Sequence, residues 1–284
     1  MTEEPATADP DTAWRWDPTL YAGSAAYYAK GRAAYPGALA DRLQQALRLD
    51  GHGRLLDVGC GPGSLTLVLA PLFAEAIGVD ADADMLVEAE RLAGQAQIGN
   101  VVWRHLRAEA LPADLPPVDM ITFAQSFHWM DRPRVAAAAR RLLTPGGTLV
   151  HVSATTHQGV STDAALPHPQ PPWTAIRTLV AHYLGERRRA GQTTLSSGTV
   201  GGEASIYSAV GFTEFQQIQV EGRLLQRTAD EVAAAVYSLS SAAPHLFGDQ
   251  LSTFDHDLHQ LLHRAGPDGL FSEQMPPTIL HLWR

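Results

Sequence analysis

Apolar positions along the chain follow two alternating rhythms. Leu39, Leu43, Ala46 and Leu47 recur at helical spacing between Ala38 and Leu49, and Gly51-His52-Gly53 stops that helix. Arg54 to Val58 reads as a short buried strand running into Gly59-Cys60-Gly61-Pro62-Gly63, and Ser64 is the expected N-cap of a helix through Leu65, Leu67, Val68 and Leu69. The same pattern predicts strands over 76–79, 101–105, 118–123 and 147–153, with helices over 84–92 and 133–143 between them. Strands alternating with helices need crossover connections, and therefore a parallel sheet.

After Ser153 the rhythm changes. The stretch 155–172 is rich in Thr, Pro, His and Gln and is predicted irregular; a helix is expected from Trp173 to Tyr183, followed by a Gly- and Ser-rich run over 191–202. An insertion of this length in a compact domain is expected to be a lid or substrate loop. Alternation resumes with a strand from Phe215 to Val220, helices over 230–239 and 249–262, and a last strand from Thr278 to Trp283. No internal repeat or heptad run is present.

Composition narrows the classes. A chain of 284 residues with 45% apolar and 18% charged residues is a globular protein with a substantial core. Its net charge of -9 argues against nucleic acid as substrate, because phosphate neutralisation by Lys and Arg dominates that affinity. The only local basic cluster is Arg187-Arg188-Arg189, read as a solvated loop or helix end. Cys60 is the single cysteine, which rules out an intrachain disulfide and fits a reducing cytoplasm. Its place inside the glycine turn suggests a packing residue rather than a nucleophile. The acidic, Pro- and Ala-rich start is unlike a signal peptide, and no apolar run approaches the roughly 20 residues of a membrane helix. His256, His259 and His263 share a helix face beside Asp255 and Asp257, which is read as a solvated face rather than a metal site.

The glycine turn carries the chemistry. Its order is Gly59, Gly61, Gly63, so Ser64 stands where the third glycine of the nicotinamide and flavin fingerprint would be. Asp80 ends the next strand, where a carboxylate can accept both hydroxyls of a ribose. The expected ligand is a ribonucleoside.

Five stretches together resemble the class I S-adenosylmethionine-dependent methyltransferases, in the branch similar to ubiquinone-biosynthesis and other small-molecule methyltransferases. They are Leu56-Asp57-Val58-Gly59-Cys60-Gly61-Pro62-Gly63, Gly78-Val79-Asp80 with Met85-Leu86, Ala108-Glu109-Ala110-Leu111-Pro112, Ser126-Phe127-His128-Trp129, and Leu143-Thr144-Pro145-Gly146-Gly147-Thr148-Leu149. All fall in the family's order, and the resemblance covers roughly residues 20 to 153. It implies an α/β fold: a doubly wound, mostly parallel, seven-stranded Rossmann-like methyltransferase sheet with its last pair antiparallel and an inserted cap. The implied divisions are a tail at 1–13, an N-terminal helical lid at 14–50, a cofactor core at 51–153, a substrate cap at 154–202, and the rest of the core with further cap helices at 203–284.

The resemblance also implies roles, with S-adenosylmethionine as cofactor. Asp80 would hold the ribose and the backbone from Gly59 through Gly61 to Gly63 would pass under the methionine portion. Asp57 would fix that loop near the cofactor's amino group, Ala81 and Met85 would pack on adenine, and Ala108 and Glu109 would border its edge. Arg107 stands where many relatives carry an acid, which leaves the adenine amino contact to Glu109 or a backbone carbonyl. Arg32, in the aromatic stretch Trp16 to Pro36, would pair with the methionine carboxylate; Tyr21, Tyr27 and Tyr28 would close the pocket. His128 is the candidate general base, its alternative being a helix cap beside Trp129, and Gln125 and Ser126 would face cofactor or substrate. The implied reaction is methyl transfer to O, N or C of a small-molecule acceptor. No metal and no membrane are implied, and a homo-oligomer is left open. The competing readings are a nucleic-acid methyltransferase, whose Asn/Asp-Pro-Pro-aromatic motif is replaced here by Gln125-Ser126-Phe127-His128, a non-catalytic nucleoside-binding relative, and a nicotinamide oxidoreductase.

Overall fold

The computed structural model describes residues 17–186 and 201–284, with the backbone alone for strand residues 188–190 and 193–195. The tail at 1–13, the side chains of Arg187-Arg188-Arg189 and most of the run 191–202 lie outside the described residues.

In chain order the first half comprises α1 (Ala25–Gly31), α2 (Ala38–Leu47), β1 (Arg54–Val58), α3 (Thr66–Leu69), β2 (Glu75–Asp80), α4 (Ala83–Ala96), β3 (Val101–His105), β4 (Val118–Ala124), α5 (Arg132–Leu142) and β5 (Leu143–Ser153). The second comprises α6 (Trp173–Leu184), β6 (Arg188–Ala190), β7 (Thr193–Leu195), α7 (Glu203–Ala209), β8 (Glu214–Val220), β9 (Leu224–Thr228), α8 (Ala229–Tyr237), α9 (Leu251–Ala265), β10 (Leu270–Gln274) and β11 (Thr278–Trp283). Seven strands form one sheet in the order β3-β2-β1-β4-β5-β11-β8. The first five are parallel, and β11 runs antiparallel to both β5 and β8.

Side chains on these strands point alternately to opposite faces, and both faces are covered. Leu55 and Leu56 show the consequence: Leu55 packs with Leu39, Leu43 and Leu69 on one side, and Leu56 with Phe123, Val135 and Ala139 on the other. Every strand expected from the hydrophobic pattern is present within a few residues. Ser64 does not cap a helix: α3 begins at Thr66, which puts Leu65, a side chain without an acceptor, at the N-cap, while the Thr66 hydroxyl donates inward to Asp57.

Beside the sheet, α1 and α6 pack with the span between β8 and β11, which holds the β9/β10 hairpin, α8 and α9, and together they form the cap. Ile176 of α6 shares one apolar cluster with Val232, Val236, Phe247, Phe254, Leu258 and Phe271. The Phe247 and Phe254 rings stack 4.0 Å apart at its centre. A buried ion pair ties these pieces together. Arg227 on β9 reaches Glu273 on β10 at 2.8 Å and also donates to the carbonyls of Gly31, His157 and Glu231. Glu273 in turn accepts from the Gly159 amide and the Trp173 indole.

Candidate active site

The order in which strands are added reverses between the parallel neighbours β1 and β4, and a cleft opens there at the carboxyl ends of the strands, as expected at such a switch point. Its volume is about 1100 Å³, including the space open to solvent at its mouth. The floor is the turn after β1, one wall is the ends of β2 and β4, and the roof is α1 with the segment before it.

The glycine turn is held by the sheet. The Gly59 and Cys60 amides both donate to the Val79 carbonyl, and the Gly61 amide donates to Asp80 Oδ2 at 2.7 Å. Gly59 adopts φ +68° with Ser126 against it: an added Cβ would lie 2.5 Å from the Ser126 Cβ. Gly61 has nothing within 4 Å of that direction and so faces open space. Gly63 is a correction. It is not among the lining residues; the Trp103 ring covers it, 2.6 Å from where a Cβ would stand, which makes it a packing glycine.

Of the carboxylates, Asp57 is 1% exposed and accepts the Thr66 and Thr122 hydroxyls at 2.6 and 2.7 Å, bracing β1 against β4 and α3. Burial raises its pKa. Asp80 accepts only backbone amides, from Gly61 and Asp82. Its pKa is pushed up to about 6, chiefly by burial against those bonds, with Asp82 and Asp57 nearby adding to the rise. Glu109 lines the cleft, but its Oε1 accepts the Asp131 amide and its Oε2 lies 3.6 Å from Arg107, so the departure at Arg107 neutralises this carboxylate. Burial, with Asp80 and Asp57 nearby, pushes the Cys60 thiol pKa up, the opposite of an activated thiol.

Ala81, Met85, Ala108 and Gln125 all line the cleft, as does Ser126, whose hydroxyl is tied to the Val58 carbonyl. Gln125 is in the left-handed region at φ +58°, uncommon for a residue with a side chain and set here where β4 ends. Arg32 projects from the end of α1 over the Tyr28 ring at 4.6 Å. Tyr21 meets Tyr28 and Trp129 edge-on at 6.3 and 6.0 Å, which makes an aromatic wall. Burial, with Tyr28 adding to it, raises the Tyr21 pKa, so its phenol stays protonated. Tyr27 is not among the lining residues and packs tilted against Tyr237 in the cap, ring centroids 4.9 Å apart.

His128 is the main correction. It does not line the cleft; its ring packs on Trp129 at 4.8 Å between centroids, and burial, with His151 and Arg132 nearby, lowers its pKa to about 4. Its neighbour Trp129 lines the cleft instead. His128→Ala is therefore expected to change turnover less than about tenfold, against the 10² to 10⁴ of a general acid or base. A single-turnover assay with any working acceptor checks this.

Sequence reasoning did not identify Asp17, Pro18, Leu20, Tyr35, Leu106, Met130 and Thr156 as part of this wall. Leu106 and Thr156 lie just past β3 and β5, so strand ends were the available signal. On α9, His259 hydrogen-bonds the Asp255 carbonyl and His256 pairs with Gln260, so both are engaged locally.

The sheet order, the glycine turn and the carboxylate after β2 define a Rossmann-like core with a cleft at its switch point. Residues 55–147 match the model of the family described as methyltransferase domain. An uncharacterized methyltransferase of Mycobacterium tuberculosis is 35% identical over 139 residues, 49% of this chain and 54% of that protein. A ubiquinone biosynthesis O-methyltransferase of Methylococcus capsulatus is 40% identical over 99 residues, 34% of this chain and 41% of that protein. The chain thus spans about half the length or less of the curated relatives it matches. The crystal structure of YcgJ from Bacillus subtilis shares the fold, at 18% identity, a TM-score of 0.50, and coverage of 87% of this chain and 98% of that one.

Proposed function

We propose that this chain transfers a methyl group from S-adenosylmethionine to an oxygen, nitrogen or carbon atom of a small-molecule acceptor. The single observation that carries the reading is Asp80 at the β2 end. It is a recessed carboxylate whose oxygens accept only two amides, on the rim of a cleft whose floor at Gly61 faces open space. The remaining wall fits the same cofactor. Ala81, Met85 and Ala108 offer apolar surface for a base, Asp57 braces the turn, and Arg32 is the one cation among the described lining residues.

When bound, the cofactor supplies an electrophilic methyl group on a sulfonium. The task left to the chain is to hold an acceptor in line with it and to keep water out, which positioning alone can accomplish. The Tyr28-Tyr21-Trp129 wall and Met130 would hold a flat apolar acceptor. Among the described lining residues there is no imidazole, and Tyr21, kept neutral by burial, is one of the polar groups beside an acceptor, with Tyr28 and Gln125, as a hydrogen-bonding partner rather than a base. The O-methyltransferase relative favours oxygen as the atom methylated. The net charge of -9 weighs against nucleic acid. Among the described residues no helix is long and apolar enough to cross a membrane, and the lone, buried cysteine fits a cytoplasmic enzyme.

The test is to supply S-adenosylmethionine with a panel of phenols, amines and stabilised carbon nucleophiles and to follow S-adenosylhomocysteine release. Release above the acceptor-free background for one class supports the reading. No release from any class, together with no binding of S-adenosylmethionine, overturns it.

A further inference from the structure

Arg32 occupies an unusual place, at the junction of core, lid and cap. Its Nε donates to the Ser238 hydroxyl at 2.8 Å, its Nη2 to the Ser238 carbonyl at 2.9 Å, and its Nη1 to the Thr156 hydroxyl at 3.3 Å. Ser238 ends α8, is fully buried, and is itself fixed by donating to the Ala235 carbonyl at 2.7 Å. The face of the guanidinium lies on Tyr28. A planar fork held at three nitrogens and one face has little rotamer freedom left, so its remaining N–H groups have a set direction.

The backbone around Arg32 is clamped to the same helix. Ser24 donates to the Tyr237 carbonyl at 2.9 Å, and Arg227 donates to the Gly31 carbonyl at 2.6 Å. Gly31 touches α8 so closely that an added Cβ would lie 2.3 Å from the Ala234 carbonyl carbon. The Ala33 amide donates to the Thr156 carbonyl at 2.7 Å, which joins the clamp to the segment after β5.

We infer that Ser238, a cap residue outside the cleft, is a positioning residue that orients Arg32 to receive the carboxylate of the bound cofactor, with Thr156 as the second support. This rests on the methyltransferase reading above and extends it: the cap as well as the core determines how the amino-acid end of the cofactor is held. A guanidinium free to rotate keeps its charge but loses the preset direction that makes a carboxylate contact strong.

The experiment compares two ligands of the full chain by calorimetry: S-adenosylhomocysteine, which carries the carboxylate, and 5′-methylthioadenosine, which keeps the nucleoside and lacks the amino-acid end. Ser238→Ala is expected to weaken S-adenosylhomocysteine about tenfold, 1.4 kcal/mol, and to leave 5′-methylthioadenosine within twofold. Thr156→Val is expected to act in the same direction more weakly, and Ser238→Thr, which keeps the hydroxyl, to restore affinity. An equal loss for both ligands, or no loss for either, overturns the role of Ser238. Thr156→Val provides the same comparison if Ser238→Ala does not fold. Wild-type protein that binds neither ligand would instead refute the methyltransferase reading itself.

Discussion

Asp80→Ala is expected to weaken S-adenosylhomocysteine binding by roughly 150-fold, because two hydrogen bonds to a charged acceptor are lost at about 1.5 kcal/mol each. Loss of the amide contact to Gly61 adds to this by loosening the turn. Asp80→Asn keeps the shape but offers one acceptor oxygen in place of two, and is expected to fall between wild type and Ala. Isothermal titration reads all three; unchanged affinity in Asp80→Ala would mean the ribose lies elsewhere.

A pH dependence follows from the same carboxyl. Its pKa is raised to about 6 in the folded protein, so burial favours the protonated form. Ribose hydroxyls donate to the ionised form, and ligand binding therefore pulls the pKa back down. Affinity is expected to be full well above pH 6 and to fall by up to about tenfold per unit as pH drops below 6, until the bound-state pKa is reached. The slope should vanish in Asp80→Asn. A flat wild-type profile between pH 5 and 8 would contradict this account of Asp80.

The second large effect is on stability. Glu273→Ala removes the carboxylate partner of a guanidinium that is 6% exposed, and a buried charge left without its counter-ion costs about 3–5 kcal/mol. The loss should fall on the cap, because Gly31, His157, Glu231, Gly159 and Trp173 all bond to this pair. Urea unfolding followed by hydrogen exchange is expected to place lost protection in α8, α9 and the β9/β10 hairpin before the parallel strands. Replacing both members, Arg227→Met with Glu273→Leu, should recover much of the stability, since no charge is left unpaired. A Glu273→Ala variant as stable as wild type would show that the pair adds nothing to cap assembly.

The core was legible because its signals are local. Leu55-Leu56, Ala76-Ile77 and Met120-Ile121 are apolar on both faces, which marks central parallel strands, and the turn from Gly59 with Asp80 after the next strand fixed the ligand-binding edge. The cap was less legible. Strands β9 and β10 pair across more than forty residues, and beside Phe271 their buried positions are Arg227, Ser272 and Glu273, polar side chains that a hydrophobic pattern reads as surface. Likewise α6 reads as a helix from its own periodicity, but its partner α9 does not follow from it.

The site divides in the same way. Ala81, Met85 and Ala108 follow from motifs that sit at strand ends, and the structure brings them to the cleft. His128 and Gly63 sit in the same motifs but do not line the cleft, and spacing alone does not separate a lining residue from its neighbour: Trp129 lines the cleft where His128 does not, and Trp103 covers Gly63. Thr156 and Ser238 carry no motif, and only the fold brings them together at Arg32.

The central claim is that the cleft over the glycine turn takes a sulfur-linked adenosine and not a dinucleotide. Calorimetric titration of the purified chain with S-adenosylhomocysteine and, separately, with NADH tests it most directly. Saturable binding of the first with no heat from the second is the expected result; binding of NADH, or of neither, would contradict it.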